Sequence, residues 1–515
     1  MKVTLSTRSR DDYRRFLAIK SLPAYSFTGH EATFPDEYAP HVGGDQTPTV
    51  DRGDIETHPQ AFDYQAAIAR LAITKRKFAV FADCGLGKTL ILIDFARHAL
   101  QQLAPRKSFL IVSPLMVVEQ TIEEAKRWYP DLPIEQVRAN RLAEWMQSGS
   151  GIGVTNYDAL SDDTPQGNVG GLALDESSML KSHYGKWGQT CLRLGAGLEW
   201  KLCCTGTPAP NDRIEYANHA VFLDHFPTVN AFLAMFFVNR GQTDNRWELK
   251  PHALEPFYRA LSHWCLFLTN PATYGWKDNC GTLPPIRVHI EDVGLTEEQQ
   301  SLAMRHSGSL FAANALGGIG TRSALAQLAK GSYRGEKIET RKFEHIRGIV
   351  DREPERGTII WCRYNDEQAA VRAAIPEAAN IDGSTPHDER REIIEGFKAG
   401  QSKVLISKPK ILGFGLNLQC ATRQIFSGLQ DSYEEYYQAV KRSNRVGSTQ
   451  PLDVYIPVTE LERPMVDTVL RKAAMIEHDT KEQERTFRQN AMAVVATTSG
   501  DDSGKRKRRT RRNDV

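Results

Sequence analysis

Short apolar runs recur along the chain, each closed by turn residues and followed by a stretch of helical periodicity. KFAVFAD precedes KTLILIDFARHALQQL, and SFLIVS precedes MVVEQTIEEAKRWY. GIGVTNY, GLALDE and KLCCTGT read as further short strands. Strands alternating with amphipathic helices predict a parallel sheet covered on both faces, an α/β fold. The pattern stops near residue 212 and resumes at GTIIWCRY, continuing through NIDGST, KVLISK, RQIFSG and LDVYIPV.

Two such α/β units divide the chain. The expected boundaries are a polar accessory lead-in at 1–50, a first lobe at 51–215, a mainly helical insertion at 216–339 and a second lobe at 340–480. Residues 481–515 are read as a helix end and a basic, disordered tail. The apolar stretch AVFLDHFPTVNAFLAMFFV (220–238) is broken by Asp224, His225, Pro227 and Asn230, so a buried helical pair fits it better than a membrane span.

Composition changes this picture little. With 515 residues, 41% hydrophobic and 25% charged, the chain is long and apolar enough for several cores. The eight cysteines form no C-x-x-C pair, so neither a zinc site nor a redox motif is signalled, and scattered thiols fit a reducing compartment. The amino terminus lacks an apolar signal core. Net charge is +2, but the segment KRKRRTRR (505–512) is nearly all basic, so the remainder is net acidic. Nucleic acid would have to be held by a local basic groove, with the tail adding non-specific phosphate affinity or serving as a localisation signal.

Candidate chemistry begins at FADCGLGKTL (81–90). The phosphate-loop pattern G-x-x-x-x-G-K-[ST] places a glycine where this chain has Ala82. Gly85 and Gly87, with Leu86 between them, still allow backbone amides to approach a phosphate at a helix start. Lys88 can reach terminal phosphates and Thr89 can ligate Mg²⁺. GLALDESSMLK ends an apolar strand in two carboxylates. Asp175 there suits an Mg²⁺ ligand and Glu176 a base for the attacking water. Thr205-Gly206-Thr207-Pro208 leaves the next strand with small polar residues suited to sensing that pair.

DSYEEYYQAVKRSNRVG (431–447) reads as one helix, with Ser432 and Glu435 as a capping box and Gly447 as terminator. On it Gln438, Arg442 and Arg445 share one face, a geometry suited to clamping a γ-phosphate.

In this order the segments resemble the motor of helicase superfamily two, in its Swi/Snf-like branch. FDYQ, with Gln65, resembles the adenine-recognising element, and DCGLGKT the phosphate loop. IVSPLMVVEQTIEEAKRW, GVTNYDAL, DESS and TGTPAPN resemble the later first-lobe motifs. IIWCRY, IDGST, GFGLNLQ and QAVKRSNRVG resemble those of the second lobe. The resemblance implies two RecA-like lobes with ATP and Mg²⁺ between them. Lys88, Asp175 and Glu176 would then act from the first lobe, with Arg442 and Arg445 as arginine fingers from the second. It implies a cytoplasmic ATP-dependent translocase on DNA, double-stranded for most relatives, in a compact bacterial or phage-type version. By the same resemblance, nucleic-acid phosphates would be met near Ser113, Pro114, Thr155, Asn156, Gly383, Ser384, Gly415 and Asn417. Ser177-Ser178 departs from the usual Ala-His ending of the acidic motif. Asn444 and Ser448 depart from the usual His and Gln of the last. An RNA helicase and a non-hydrolysing nucleic-acid scaffold remain open as rivals.

Overall fold

SFLIVS and WKLCCT are buried at every position, and KFAVFA at every position but its lysine, as strands covered on both faces must be. In the computed structural model, residues are described except 1, 21, 23–24, 35–41, 43–54, 182–184, 242–246, 278–282, 308–318, 413–415, 430–431 and 500–515.

The first lobe is built on seven strands: β1 (Lys77–Ala82), β2 (Ser108–Ser113), β3 (Ile134–Gln136), β4 (Ile152–Asn156), β5 (Val169–Asp175), β6 (Trp200–Thr205) and β7 (Cys265–Leu268). All pairs are parallel, in the order β7-β1-β6-β5-β2-β4-β3. Helices α1 (Asp63–Lys75), α2 (Lys88–Gln102) and α3 (Leu115–Trp128) cover it. The carboxyl ends of β1, β6 and β5 are therefore neighbours, which is where open parallel sheets bind ligands.

The second lobe has six parallel strands: β8 (Ile286–Asp292), β9 (Thr358–Trp361), β10 (Ala379–Asn380), β11 (Val404–Ser407), β12 (Arg423–Phe426) and β13 (Leu452–Val458). Their order is β8-β13-β12-β9-β11-β10. Two wholly parallel sheets clad in helices give the two-lobed α/β architecture expected.

The boundaries differ from expectation in three places. The span 216–339, expected as a mainly helical insertion or linker, also supplies an edge strand to each sheet: β7 beside β1, and β8 beside β13. It does contain the expected helical pair, Tyr216–Phe222 and Val229–Phe236, and the helix α4 (Leu254–Trp264). The lead-in is also more than an accessory. Its strands Lys2–Thr4, Glu31–Thr33 and Ser26–Thr28 form an antiparallel sheet beside the helix Arg10–Lys20. Ile19, Ala32 and Phe34 are buried in one core with first-lobe residues such as Leu172 and Phe222.

Finally, the chain leaves β13 into a long helix, α6 (Arg463–Ser499), which begins in the second-lobe core through Val466 and Val469. It then returns to the first lobe. Asp479 accepts from Arg213 at 2.7 and 2.6 Å and from Tyr258 at 2.8 Å, and Glu484 accepts from the Thr269 amide and hydroxyl at 2.7 Å. The basic segment 505–512 lies outside the described residues. Among the described residues no helix is long and apolar enough to cross a membrane.

Candidate functional site: the cleft between the lobes

The phosphate loop follows directly from β1. Ala82 is the last strand residue, fully buried, and its φ is not positive, so nothing in its backbone calls for the missing glycine. The left-handed turns fall later, at Gly85 (φ +87°) and Gly87 (φ +67°), where a side chain would be strained. Gly87 caps α2, which starts at Lys88, so the loop ends on a helix amino terminus. A β-carbon added to Gly87 would lie 2.1 Å from Gln65 Nε2. Gln65, on α1, is buried against this loop. Its Oε1 accepts from Phe62 N at 2.9 Å and its Nε2 donates to the Leu86 carbonyl at 3.5 Å.

Lys88 Nζ donates to the carbonyls of Ala82 (2.8 Å) and Asp83 (3.2 Å). Burial opposes its charge, but Cys84, Glu176, Asp175 and Asp83 around it raise its pKa above the ordinary value. Thr89 stands half-buried in the first turn of α2.

The acidic pair ends β5. Asp175 Oδ2 accepts from the Ser113 hydroxyl at 3.1 Å, and its carbonyl from Tyr157 OH at 2.7 Å. Burial and the neighbouring Glu176 carboxylate raise the Asp175 pKa. Glu176 takes a left-handed backbone (φ 49°) with no glycine to ease it, the kind of strain that collects at functional sites. Its Oε2 accepts from Thr205 Oγ1 at 3.0 Å, which in turn accepts from Thr207 N at 3.1 Å. The threonines after β6 therefore do touch the acidic pair. Ser177, at the departure from Ala-His, is buried with its hydroxyl 3.0 Å from His219 Nε2.

The second lobe presents α5 (Tyr433–Ser443) to the cleft. Ser432 caps it by accepting from Glu435 N at 3.3 Å, but the Glu435 carboxylate pairs with Arg363 rather than closing the box. Asn444 is the C-cap, so Arg445 lies beyond the helix and does not share its face with Gln438 and Arg442 as expected. Its position is nonetheless apt, because Arg445 Nε would be 3.6 Å from a β-carbon on Gly85. Arg442 is buried, and burial lowers its pKa while Cys84 and Glu176 act in the opposite sense. Gln438 is half-buried one turn before Arg442. The structure thus brings Lys88, Asp175, Glu176, Arg442 and Arg445 to one cleft.

The expected nucleic-acid residues divide. The side chains of Ser113 and Thr155 are buried and occupied, Ser113 with Asp175 and Thr155 with the Val137 carbonyl at 2.8 Å, and Pro114 is buried too. β2 and β5 are adjacent, which turns the Ser113 side chain toward the acidic pair and leaves only backbone groups of Ser113, Pro114 and Thr155 for a phosphate. Asn156 caps the turn at Ala159 (2.8 Å). Gly383, Ser384 and Asn417 are exposed, and Ser384 is held to Asp382 through N (2.9 Å) and Oγ (2.6 Å). Gly415 lies outside the described residues.

Sequence reasoning missed three residues that meet between the lobes. Lys441 Nζ is 2.7 Å from Asp83 Oδ2, the Tyr437 hydroxyl bonds Asp83 Oδ1, and Lys181 pairs with Glu434 nearby. The available signal was the placement of Tyr437 and Lys441 one helical turn apart, with an acid at the head of the phosphate loop.

Comparison with known proteins follows the same division. The SNF2-related domain matches residues 74–337, just over half of the chain, and the helicase conserved C-terminal domain matches residues 341–447. A mouse SWI/SNF-related matrix-associated actin-dependent regulator of chromatin, subfamily A member 1, is 24% identical over 427 residues, covering 73% of this chain and 39% of that protein. Putative protein p41 of Acyrthosiphon pisum secondary endosymbiont phage 1 is 23% identical over 421 residues, covering 74% and 87%. The mouse DNA annealing helicase and endonuclease ZRANB3 is 24% identical, covering 72% and 36%. The chain therefore spans well under half the length of the two mouse proteins. Among solved structures, the Sulfolobus solfataricus SWI2/SNF2 ATPase core in complex with dsDNA is 21% identical with a TM-score of 0.40, covering 83% of this chain and 95% of that one. With the SNF2-related domain spanning the first lobe and its linker and the helicase C-terminal domain the second, this chain belongs to the SNF2-related family of superfamily-two ATPases.

Proposed function

We propose that the protein is a DNA-stimulated ATPase that couples ATP hydrolysis in the cleft to movement on double-stranded DNA. The observation that carries the reading is the joint cluster: Lys88 and the Asp175–Glu176 pair from one lobe, Arg442 and Arg445 from the other. Lys88 and the helix start at Gly87 bind phosphate charge, Glu176 takes a proton from the attacking water, and the two arginines stabilise charge developing on the transferred group. Gln65 orients the base from behind the loop, with Gln438 a polar neighbour of the arginines.

The residues fit Mg²⁺. Two adjacent, half-buried carboxylates with raised proton affinity at Asp175 call for a cation, and Thr89 and Asp175 would hold it, Thr89 through its hydroxyl. Bound there, the ion would neutralise phosphate charge. DNA phosphates would run past Asn156, Gly383, Ser384, Gly415 and Asn417, with the backbone near Ser113, Pro114 and Thr155 shaping the path. Duplex DNA is supported by family membership and by DNA-acting relatives in the same sequence range. A bacterial or phage-infected cytoplasm is supported by the cysteines unpaired among the described residues and by the phage relative.

The test is ATPase activity with duplex DNA, single-stranded DNA and RNA, in the wild type and Glu176→Gln. Duplex DNA should stimulate most, and the variant should lose the stimulated rate. A stimulated rate surviving in Glu176→Gln would sink the base assignment, and greater stimulation by RNA would sink the DNA reading.

A further inference from the structure

Asp83 puts a carboxylate at the head of the phosphate loop, where its bare charge would repel the ligand the loop is built to hold. Its side chain is only 12% exposed, as is that of Lys441, so this is a shielded ion pair rather than a loose surface one. Three donors from two lobes converge on it. Cys84 N donates to Oδ1 at 2.6 Å, the Tyr437 hydroxyl reaches the same oxygen, and Lys441 Nζ reaches Oδ2 at 2.7 Å. Tyr437 and Lys441 stand one turn apart on α5, so their side chains share a face and arrive together. Tyr437 also lies over the segment after β6, its Cε1 3.8 Å from where a β-carbon on Gly206 would be. At the other end of α5, Lys181 pairs with Glu434. The helix is thus pinned to the first lobe at both ends, and Arg442 immediately follows one of the pins.

We infer that Asp83 is the docking post for the second lobe: by gripping Lys441 and Tyr437 it sets the rotation of α5 and so places Arg442 over the phosphate loop. Lys441 and Tyr437 are positioning residues for hydrolysis. They do not hold the nucleotide, and Lys441 also cancels the charge Asp83 would turn on incoming phosphate. The inference rests on the ATPase reading and deepens it.

The experiment is steady-state ATPase at saturating duplex DNA for wild type, Lys441→Met, Lys441→Arg, Tyr437→Phe, Asp83→Asn and the double variant Asp83→Asn/Lys441→Met. The expected result for Lys441→Met is a fall in kcat of at least tenfold with KM for ATP changed less than threefold. Tyr437→Phe, which keeps the ring, should lose about threefold, Lys441→Arg should restore most of the rate, and the double variant should be no worse than the poorer single one. A rise in KM that outweighs the change in kcat would make Lys441 a direct phosphate ligand and overturn the inference. Multiplying defects in the double variant would overturn it too, since the residues would then act independently. If the wild type hydrolyses ATP and none of the single variants differs from it, only this inference falls. If the wild type shows no hydrolysis with any nucleic acid, the ATPase reading falls and takes it along.

Discussion

Thr205 donates its hydroxyl to Glu176 Oε2 at 3.0 Å and accepts from Thr207 N at 3.1 Å, so the strand exit after β6 grips the proposed general base directly. A hydrogen bond to a carboxylate of this kind is worth roughly 1.5–3 kcal/mol. Thr205→Val keeps the shape and removes the bond. The expected outcome is a fall in kcat of roughly ten- to a hundredfold with little change in KM, read by steady-state ATPase assay.

The loop glycines are unequal. Gly87→Ala places a methyl 2.1 Å from Gln65 Nε2 on a left-handed backbone, so ATP affinity should drop at least tenfold with the overall fold intact. Ala82→Gly restores the motif glycine in a buried strand where nothing requires it. It should leave ATP affinity unchanged and lower the thermal midpoint slightly. Fluorescent-nucleotide titration and thermal melts check both.

Burial pushes the Glu215 carboxyl up to about 7 from 4.5, against its bonds from Asn211 N and Nδ2 and the Lys181 charge. An acid with a raised folded-state value contributes stability that is complete below pH 4.5 and lost as pH rises through 7. His219, whose ring approaches the Glu215 carbonyl, is lowered by burial to about 4 and acts oppositely, its contribution lost as pH falls from 6.5 through 4. The difference between wild type and Glu215→Gln isolates the first group. The variant's thermal midpoint should fall less between pH 4.5 and 7, and parallel curves would refute the assignment.

Asp479 joins α6 to Arg213 and Tyr258 of the first lobe, with its side chain 9% exposed and that of Arg213 22%. Removing one partner of a shielded pair costs roughly 3–5 kcal/mol. Asp479→Ala should lower the thermal midpoint by several degrees, and Arg213→Ala should do likewise. The double variant should be less than additive.

Much of the core was legible because central parallel strands are buried on both faces and read as unbroken apolar runs, as FLIV (109–112) and LCC (202–204) do. The edge strands were harder. CLFL (265–268) is too short to separate from the end of α4, and in β8 Ile286, Val288 and Ile290 are exposed, as an edge strand permits. The cleft residues Lys88, Asp175, Glu176 and Arg442 were legible from local motifs. Arg445 was misplaced onto α5 because the helix stops at Asn444, three residues before Gly447, a tertiary effect on a boundary. The side-chain bond of Ser113 was not legible because its partner, Asp175, sits on a neighbouring strand far along the chain. Asp83, Tyr437 and Lys441 were missed for the same reason: the spacing of Tyr437 and Lys441 marks a shared face, but their meeting with Asp83 depends on how two lobes dock.

The edge position of β7 has a consequence for synthesis. When residues 51–215 have left the ribosome, β1, the strand leading into the phosphate loop, still has one bare edge. That edge is closed only by Cys265–Leu268, and α6 packs there only after the last lobe-two strand is made. The sheet of the nucleotide-binding lobe therefore cannot close until the chain has passed Leu268. Until then it carries an apolar strand open to pairing with other chains, a period in which nascent protein is prone to aggregate and to need chaperone cover.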